Sequence, residues 1–378
     1  MKYLLFTPGP VNVATNVRSA VAGTDICHRE VEFERVLRSI EGQLLDLFEI
    51  RQQGRYQAVV ITGSGTAANE AMLSSVVGNQ NILVLANGEF GERLHEISEI
   101  HNEHTSLLQF GWGERMDLAV IEDHLGNNHV DVIAMVHHET SSGILNPLQA
   151  IGALARAHDI TLVVDCVSSA GAEIVDMERD HIAFCSSSSS KAIGSYSGLS
   201  FVVGKRAEFK KLRTIVAKTK YLDLYKFYQF ATDRSQTPNT PAVSLFYALD
   251  QALANILSET VVGRRATVLA AATRLRSGMS ELGLTFLLDA NDMCSVLTTV
   301  HVPPGIEIER LRHALRRRSI IIYEGKGPLK GRVFQVGNIG ELNTVHVTRF
   351  LSALRDSLLE CQVVQSIEPN LLLTSAVA

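Results

Sequence analysis

Short apolar runs alternate with longer stretches of helical period through about residue 240, and that alternation narrows the possible folds more than any other feature of the chain. Ala58-Val-Val-Ile61, Asn81-Ile-Leu-Val-Leu-Ala86, Asp131-Val-Ile-Ala-Met-Val136, Thr161-Leu-Val-Val164 and Leu199-Ser-Phe-Val-Val-Gly204 are almost continuously apolar, as strands buried on both faces are. Between them lie amphipathic segments. The clearest covers residues 29 to 50, with Val31, Phe33, Val36, Leu37, Ile40 and Leu44 at helical spacing. Strand and helix in turn predict an α/β fold with a doubly wound, mostly parallel sheet. Gln236-Thr-Pro-Asn-Thr-Pro241 can be neither helix nor central strand. Beyond it, helical patterns at 242–256 and 264–282 precede short strands at 295–300, 320–323 and 332–336, which predicts a smaller α+β C-terminal domain. The expected organisation is an N-terminal segment 1–14, a large domain 15–241, a small domain 242–362 and a tail 363–378 that docks or frays.

In an open α/β sheet, ligands bind in the crevice at the carboxyl ends of the strands. The run Thr161–Val164 delivers Asp165 there. A second run, His181-Ile-Ala-Phe-Cys185, leads into five serines, Ser186 to Ser190, and then Lys191. A lysine in such a crevice can form a Schiff base with an aldehyde, and an aspartate can hold a protonated pyridine nitrogen. Together these are the two demands that pyridoxal phosphate makes of a protein. Gly63-Ser-Gly-Thr66, at another strand-to-helix turn, offers backbone amides to a phosphate. The stretch Gly63 to Ala68 also fits a dinucleotide fingerprint, but the acidic residue that fingerprint wants arrives late, as Glu89 in a turn, so a single phosphate cradle fits better. Phe90 places an aromatic ring at a third junction, suited to stacking on a flat heterocycle, although a core role is the commoner fate of phenylalanine. His137 and His138 are adjacent and so point to opposite sides of an extended chain, and His101 and His104 lack an obvious third ligand. No metal site is expected.

Composition excludes several classes of function. A formal net charge of −5 without a one-sign block argues against nucleic acid as a partner. The arginine-rich stretch 310–318 has apolar residues at helical spacing and reads as a solvated helix face. Five widely spaced cysteines without a Cys-x-x-Cys pair suit a reduced, cytoplasmic protein. The apolar start is broken by Pro8-Gly-Pro10, no run approaches the ~18 apolar residues of a membrane span, and neither a signal peptide nor membrane association is expected.

Eight motifs in order carry a likeness over nearly the whole chain: Thr7-Pro-Gly-Pro10, His28-Arg29, Gly63-Ser-Gly-Thr66, Asn87-Gly-Glu-Phe-Gly91, Glu139-Thr-Ser-Ser-Gly143, Asp165, Lys191 and Gly337-Asn-Ile-Gly340. In these the chain resembles the class V pyridoxal-phosphate-dependent aminotransferases, and within them the 2-aminoethylphosphonate:pyruvate group. The resemblance implies an aspartate-aminotransferase-like fold, pyridoxal-phosphate fold type I, and pyridoxal 5′-phosphate as cofactor. It implies Lys191 as the Schiff-base lysine that also moves the proton, and Asp165 under the ring nitrogen. Phe90 and Val167 would flank the ring and Thr140 would donate to its phenolic oxygen. Ser64, Gly65, Thr66 and Ser190 would cradle the phosphate. Thr240 would reach a phosphate in the other subunit, which implies a homodimer with shared active sites.

Two departures bear on the reaction. Relatives place a carboxylate-clamping arginine in the pattern Arg-hydrophobic-Gly-x-x-Gly, where this chain has Gln335. Arg29, Arg332, Lys326 or Lys330 would then have to help Gln335 bind the substrate. The serine run replaces a more varied sequence and would widen the pocket. The expected activity is that of an aminotransferase on a small amino acid or amino-phosphonate. The alternative is a diverted enzyme on the same cofactor, carrying out β/γ-elimination or carbon–carbon bond formation with a second substrate.

Overall fold

The computed structural model describes residues 3–374, with side chains through residue 362. The expected tail 363–378 therefore lies outside the residues whose packing is described. The chain order of the labelled elements is α1 (Val31–Leu47), β1 (Tyr56–Thr62), α2 (Gly65–Val76), β2 (Ile82–Ala86), α3 (Glu89–His101), β3 (Thr105–Gln109), α4 (Leu118–Asn127), β4 (Val132–Val136), α5 (Leu148–Ala157), β5 (Thr161–Asp165), β6 (Ile182–Ser188), β7 (Leu199–Lys205), α6 (Leu224–Arg234), α7 (Val243–Ser258), α8 (Val261–Glu281), β8 (Leu297–His301), α9 (Ile308–Arg317), β9 (Tyr323–Glu324), β10 (Val333–Gly337) and α10 (Thr344–Thr374).

Seven strands form the central sheet in the order β1-β7-β6-β5-β4-β2-β3. Every neighbouring pair is parallel except those made by β7, which runs antiparallel to both β1 and β6. The apolar runs are continuous because alternate residues serve two cores. Leu83, Leu85, Ile133, Met135, Leu162 and Val164 pack with α1, α5 and α7 on one face. Val84, Val132, Ala134 and Val163 pack with α2, α3 and α6 on the other. With β1, β2, β4, β5 and β6 pointing one way, the loops that follow them gather along one edge.

A second sheet, β8-β10-β9, is antiparallel. Its core takes Leu275 and Met279 of α8, Leu311 and Leu315 of α9, and Phe350 and Leu354 of α10. The N-terminus joins this core, since Leu4-Leu5 pairs with Ile320-Ile321 and the tilted rings of Phe6 and Phe350 lie 4.5 Å apart. A division at 241/242 would assign α7 to the smaller unit, but Phe246, Leu249, Leu253 and Ile256 are buried in the first core. The handover between cores falls along α8, whose Val261 belongs to the first and whose Leu275 belongs to the second. The edge strand β3 was not expected from the sequence, because its half-exposed residues form no apolar run. Among the described residues, no helix is long and apolar enough to cross a membrane.

Candidate active site

Asp165 ends β5, is buried, and is held by named donors. Asn69 Nδ2 donates to Oδ2 at 2.6 Å and the Val167 amide donates to Oδ1 at 2.7 Å. Asn69 is in turn fixed by Ser186, whose hydroxyl donates to Asn69 Oδ1. Burial raises the pKa of Asp165, while these donors and the charges of Lys191 and Arg93 pull it back down. The carboxylate thus has a fixed orientation in a dry place, as a partner for a ring N–H+ requires.

The first three serines of the run are strand and the last two a turn. β6 continues to Ser188, so its hydroxyls alternate in direction: Ser186 reaches Asn69, while Ser187 donates to Cys166 O at 3.1 Å. Ser189 donates to Leu199 O at 2.9 Å and ties the turn that presents Lys191. Small hydroxyl side chains here satisfy backbone carbonyls and the Asn69 relay, a sharper role than widening a pocket.

Lys191 is half-buried and donates through Nζ to Pro8 O at 2.8 Å. Burial lowers its pKa to about 8; Asp165 opposes the change, and the charges of Lys326 and Arg93 add to it. The Thr7-Pro-Gly-Pro10 turn therefore has a definite place, over the lysine. A Cβ on Gly9 (φ +138°) would lie 2.7 Å from Lys191 Cδ and 2.9 Å from Nζ, so the chain can approach the lysine only as glycine.

Helix α2 begins at Gly65 with no side-chain cap at Ser64. The Ala67 and Ala68 amides turn back to Ser64 O, and the earlier amides of Gly65 and Thr66 are left pointing out of the helix start. Exposed Ser64, half-buried Thr66 and half-buried Ser190 surround this end, and Ser188 and Ser190 hydroxyls lie 3.5 Å apart. Val167 closes over Gly65, where an added Cβ would meet its methyl group at 2.8 Å. Phe90, half-buried, is set by Glu139, which accepts from the Phe90 and Gly91 amides at 3.1 and 3.0 Å and from the Ser141 amide at 3.0 Å. Glu139 thereby caps α3 from the facing loop, and burial raises its pKa to about 7 against those donors. Thr140 is buried, its hydroxyl donating to Ser168 Oγ at 2.6 Å.

Of the remaining expected residues, Gln335 meets the loop that carries Thr140, while Arg29, Thr240 and Arg332 are exposed. Arg29 is exposed and donates to Thr237 O at 2.7 Å and Gln236 Oε1 at 3.2 Å, holding the loop that carries Thr240. Thr240 is exposed, as is Arg332 just before β10. Gln335 is buried, and its Nε2 donates to Thr140 O at 2.7 Å and Ser141 O at 3.1 Å. Sequence reasoning missed Asn69, Glu139 and His138. His138 donates through Nδ1 to Ser168 O at 3.1 Å, which leaves Nε2 to accept from Cys294 Sγ at 3.0 Å. No group of His, Cys, Asp and Glu able to hold a metal occurs among the described residues.

These residues fit pyridoxal phosphate. An uncapped helix start suits a phosphate, the Asp165 carboxylate suits a pyridinium, and Lys191, with a lowered pKa, suits an aldehyde. Fold and site together define a pyridoxal-phosphate-dependent transferase of fold type I.

The chain belongs to the class-V aminotransferase family, which it matches over residues 14–334. It is 30% identical over 361 residues to a 2-aminoethylphosphonate–pyruvate transaminase of Bacteroides fragilis, covering 94% of this chain and 99% of that protein. It is 31% identical over 363 residues to the enzyme of the same name from Klebsiella pneumoniae, covering 94% and 98%. The crystal structure of a ureidoglycine–glyoxylate aminotransferase from Bacillus subtilis superposes with a TM-score of 0.90 at 26% identity, covering 96% of this chain and 94% of that one. The protein is thus a pyridoxal-phosphate-dependent aminotransferase, and these relatives do not favour the diverted reaction.

Proposed function

We propose that the protein moves an amino group between a small amine carrying a phosphonate or carboxylate and a keto acid, with Lys191 and Asp165 as its catalytic residues. The observation that carries this reading is the buried, doubly held Asp165 within electrostatic reach of a lysine whose pKa is lowered to about 8. When bound, the cofactor supplies an aldehyde and an electron-withdrawing ring. Lys191 Nζ would hold that aldehyde and, as a free amine, would take and return the proton of the substrate carbon that bears nitrogen. An amine titrating near 8 suits that exchange close to neutral pH. Asp165 would keep the ring nitrogen protonated, and Asn69 and Ser186 keep Asp165 aligned. Phe90 and Val167 would flank the ring, Thr140 would turn its hydroxyl proton from Ser168 to the phenolic oxygen, and Ser64, Gly65, Thr66 and Ser190 would receive the phosphate. Thr240, on the loop clasped by Arg29, reaches the phosphate of a second subunit, so the working unit is a homodimer. Free buried Cys166, Cys185, Cys294 and Cys361 support a reduced cytoplasmic setting, which cell fractionation checks.

The test is direct. Wild-type protein loaded with pyridoxal phosphate and reduced with borohydride should carry the cofactor's mass on the Lys191 peptide, and Lys191→Ala should carry none. Adding 2-aminoethylphosphonate should shift the bound cofactor to its amine form, and pyruvate should reverse the shift. A label on another lysine, or a cofactor inert to every anionic amine, would sink the reading.

A further inference from the structure

We propose that the anionic group of the substrate is gripped at the rim of the site by Arg93 and Lys326, with Glu89 as the internal anion it displaces, and not at position 335. This rests on the aminotransferase reading above and names the substrate feature which that site selects.

Position 335 has no donor to give. A primary amide carries two N–H groups, and Gln335 spends Nε2 on two carbonyls, Thr140 O at 2.7 Å and Ser141 O at 3.1 Å. What remains is a carbonyl oxygen, which repels an anion. Of the other candidates, Arg29 is committed to the loop at 236–238, and Arg332 is exposed just before β10.

Arg93 and Lys326 are placed differently. They come from opposite sides of the crevice, Arg93 from the first turns of α3 and Lys326 from the turn after β9. Both stand against the ring of Phe90, Arg93 Cζ at 4.7 Å and Lys326 Nζ at 5.4 Å from its centroid. Both donate to the same oxygen, Glu89 Oε1, at 2.7 and 3.1 Å. The turn bearing Lys326 is pinned: a Cβ on Gly327 would lie 2.6 Å from the Trp112 ring, and Trp112 Nε1 donates to Glu92 at 2.7 Å. The three side chains stay reachable, with side-chain exposures of 33% for Arg93, 47% for Lys326 and 26% for Glu89.

Two cations around one carboxylate leave an excess positive charge. A phosphonate or carboxylate arriving with the amine can take Glu89's place, and a phosphonate brings more oxygens for a guanidinium fork and an ammonium to share.

The experiment uses cofactor-loaded wild type, Lys326→Met and Glu89→Gln. Each is reacted with 2-aminoethylphosphonate and with ethanolamine, in which a hydroxyl replaces the phosphonate. The second-order rate constant is read from cofactor absorbance, and calorimetry measures methylphosphonate binding in parallel. Lys326→Met should lower the phosphonate-to-hydroxyl rate ratio by about tenfold, the low end for a hydrogen bond to a charged group. Glu89→Gln should raise it, and methylphosphonate affinity should move in the same two directions. A ratio that neither variant moves, or that both move the same way, overturns the proposal; a misfolded variant cannot mimic opposite signs. If the wild type converts neither amine, the reaction assigned above fails instead, while the methylphosphonate titrations still decide the rim.

Discussion

A carboxylate can serve a ring nitrogen only if something else fixes its orientation, and in this chain that residue is Asn69. Its side chain bridges Ser186 and Asp165, so Asn69→Leu leaves a buried carboxylate oxygen and a buried hydroxyl without their partner. The expected cost is about 1–3 kcal/mol of stability, together with weaker cofactor binding, checked by urea unfolding and by titration with pyridoxal phosphate. Loss of stability with cofactor affinity intact would reduce Asn69 to a packing residue. Asp165 and Lys191 were legible in the sequence because each follows a strand, and strand ends converge in this kind of sheet. Asn69 was not, because it lies inside a helix and its value depends on which serines of β6 face α2. Gln335 was legible as a departure, but its meaning was not: only the structure shows that its amide protons go to the backbone at 140 and 141.

At the level of elements, continuous apolar runs announced the central strands, whereas β3 and the serine half of β6 were hidden by polar side chains, among them Ser106, Gln109, Ser186 and Ser187, whose hydrogen bonds are long-range. The position of α7 was hidden for a related reason, since periodicity shows which face of a helix is buried but not against what. The element pair α1 and α6 holds a feature that no sequence pattern marks. Glu41 of α1 is buried, accepts from Ser235 at 2.9 Å, and leaves Oε1 with no partner. Ser235 ends α6 in the left-handed region (φ 52°) and begins the loop toward Thr240. Burial raises Glu41 to about 8, so between its ordinary range and that value the folded chain keeps a proton that the unfolded chain has lost. Its stabilising contribution is therefore full below about pH 4.5 and drains away as pH rises through about 8, by up to ~1.4 kcal/mol per unit. Glu41→Gln should flatten the fall in urea midpoint between pH 5 and 9 and should be the more stable protein at pH 8. An unchanged slope would place the titration elsewhere.

For the molecule as a whole, exposed Thr240 on an Arg29-clasped loop makes sense if the site is finished by a second copy. Shared sites predict complementation. Lys191→Ala and Thr240→Glu chains, each inactive alone, should regain about a quarter of wild-type activity when unfolded together and refolded, because half the dimers are hybrids with one intact site. No recovery, with hybrids shown to form, would confine each site to its own chain. The N-terminus has a different tie. Leu4 and Leu5 pair with Ile320 and Ile321, Phe6 lies on Phe350, and two residues further on the Pro8 carbonyl receives the lysine. Residues 4–6 thus find their seat only against a segment more than 300 positions away. The reactive lysine's seat is therefore completed by a strand pairing outside the sheet that carries it, and a chain whose second core has not formed holds its amine without the Pro8 carbonyl.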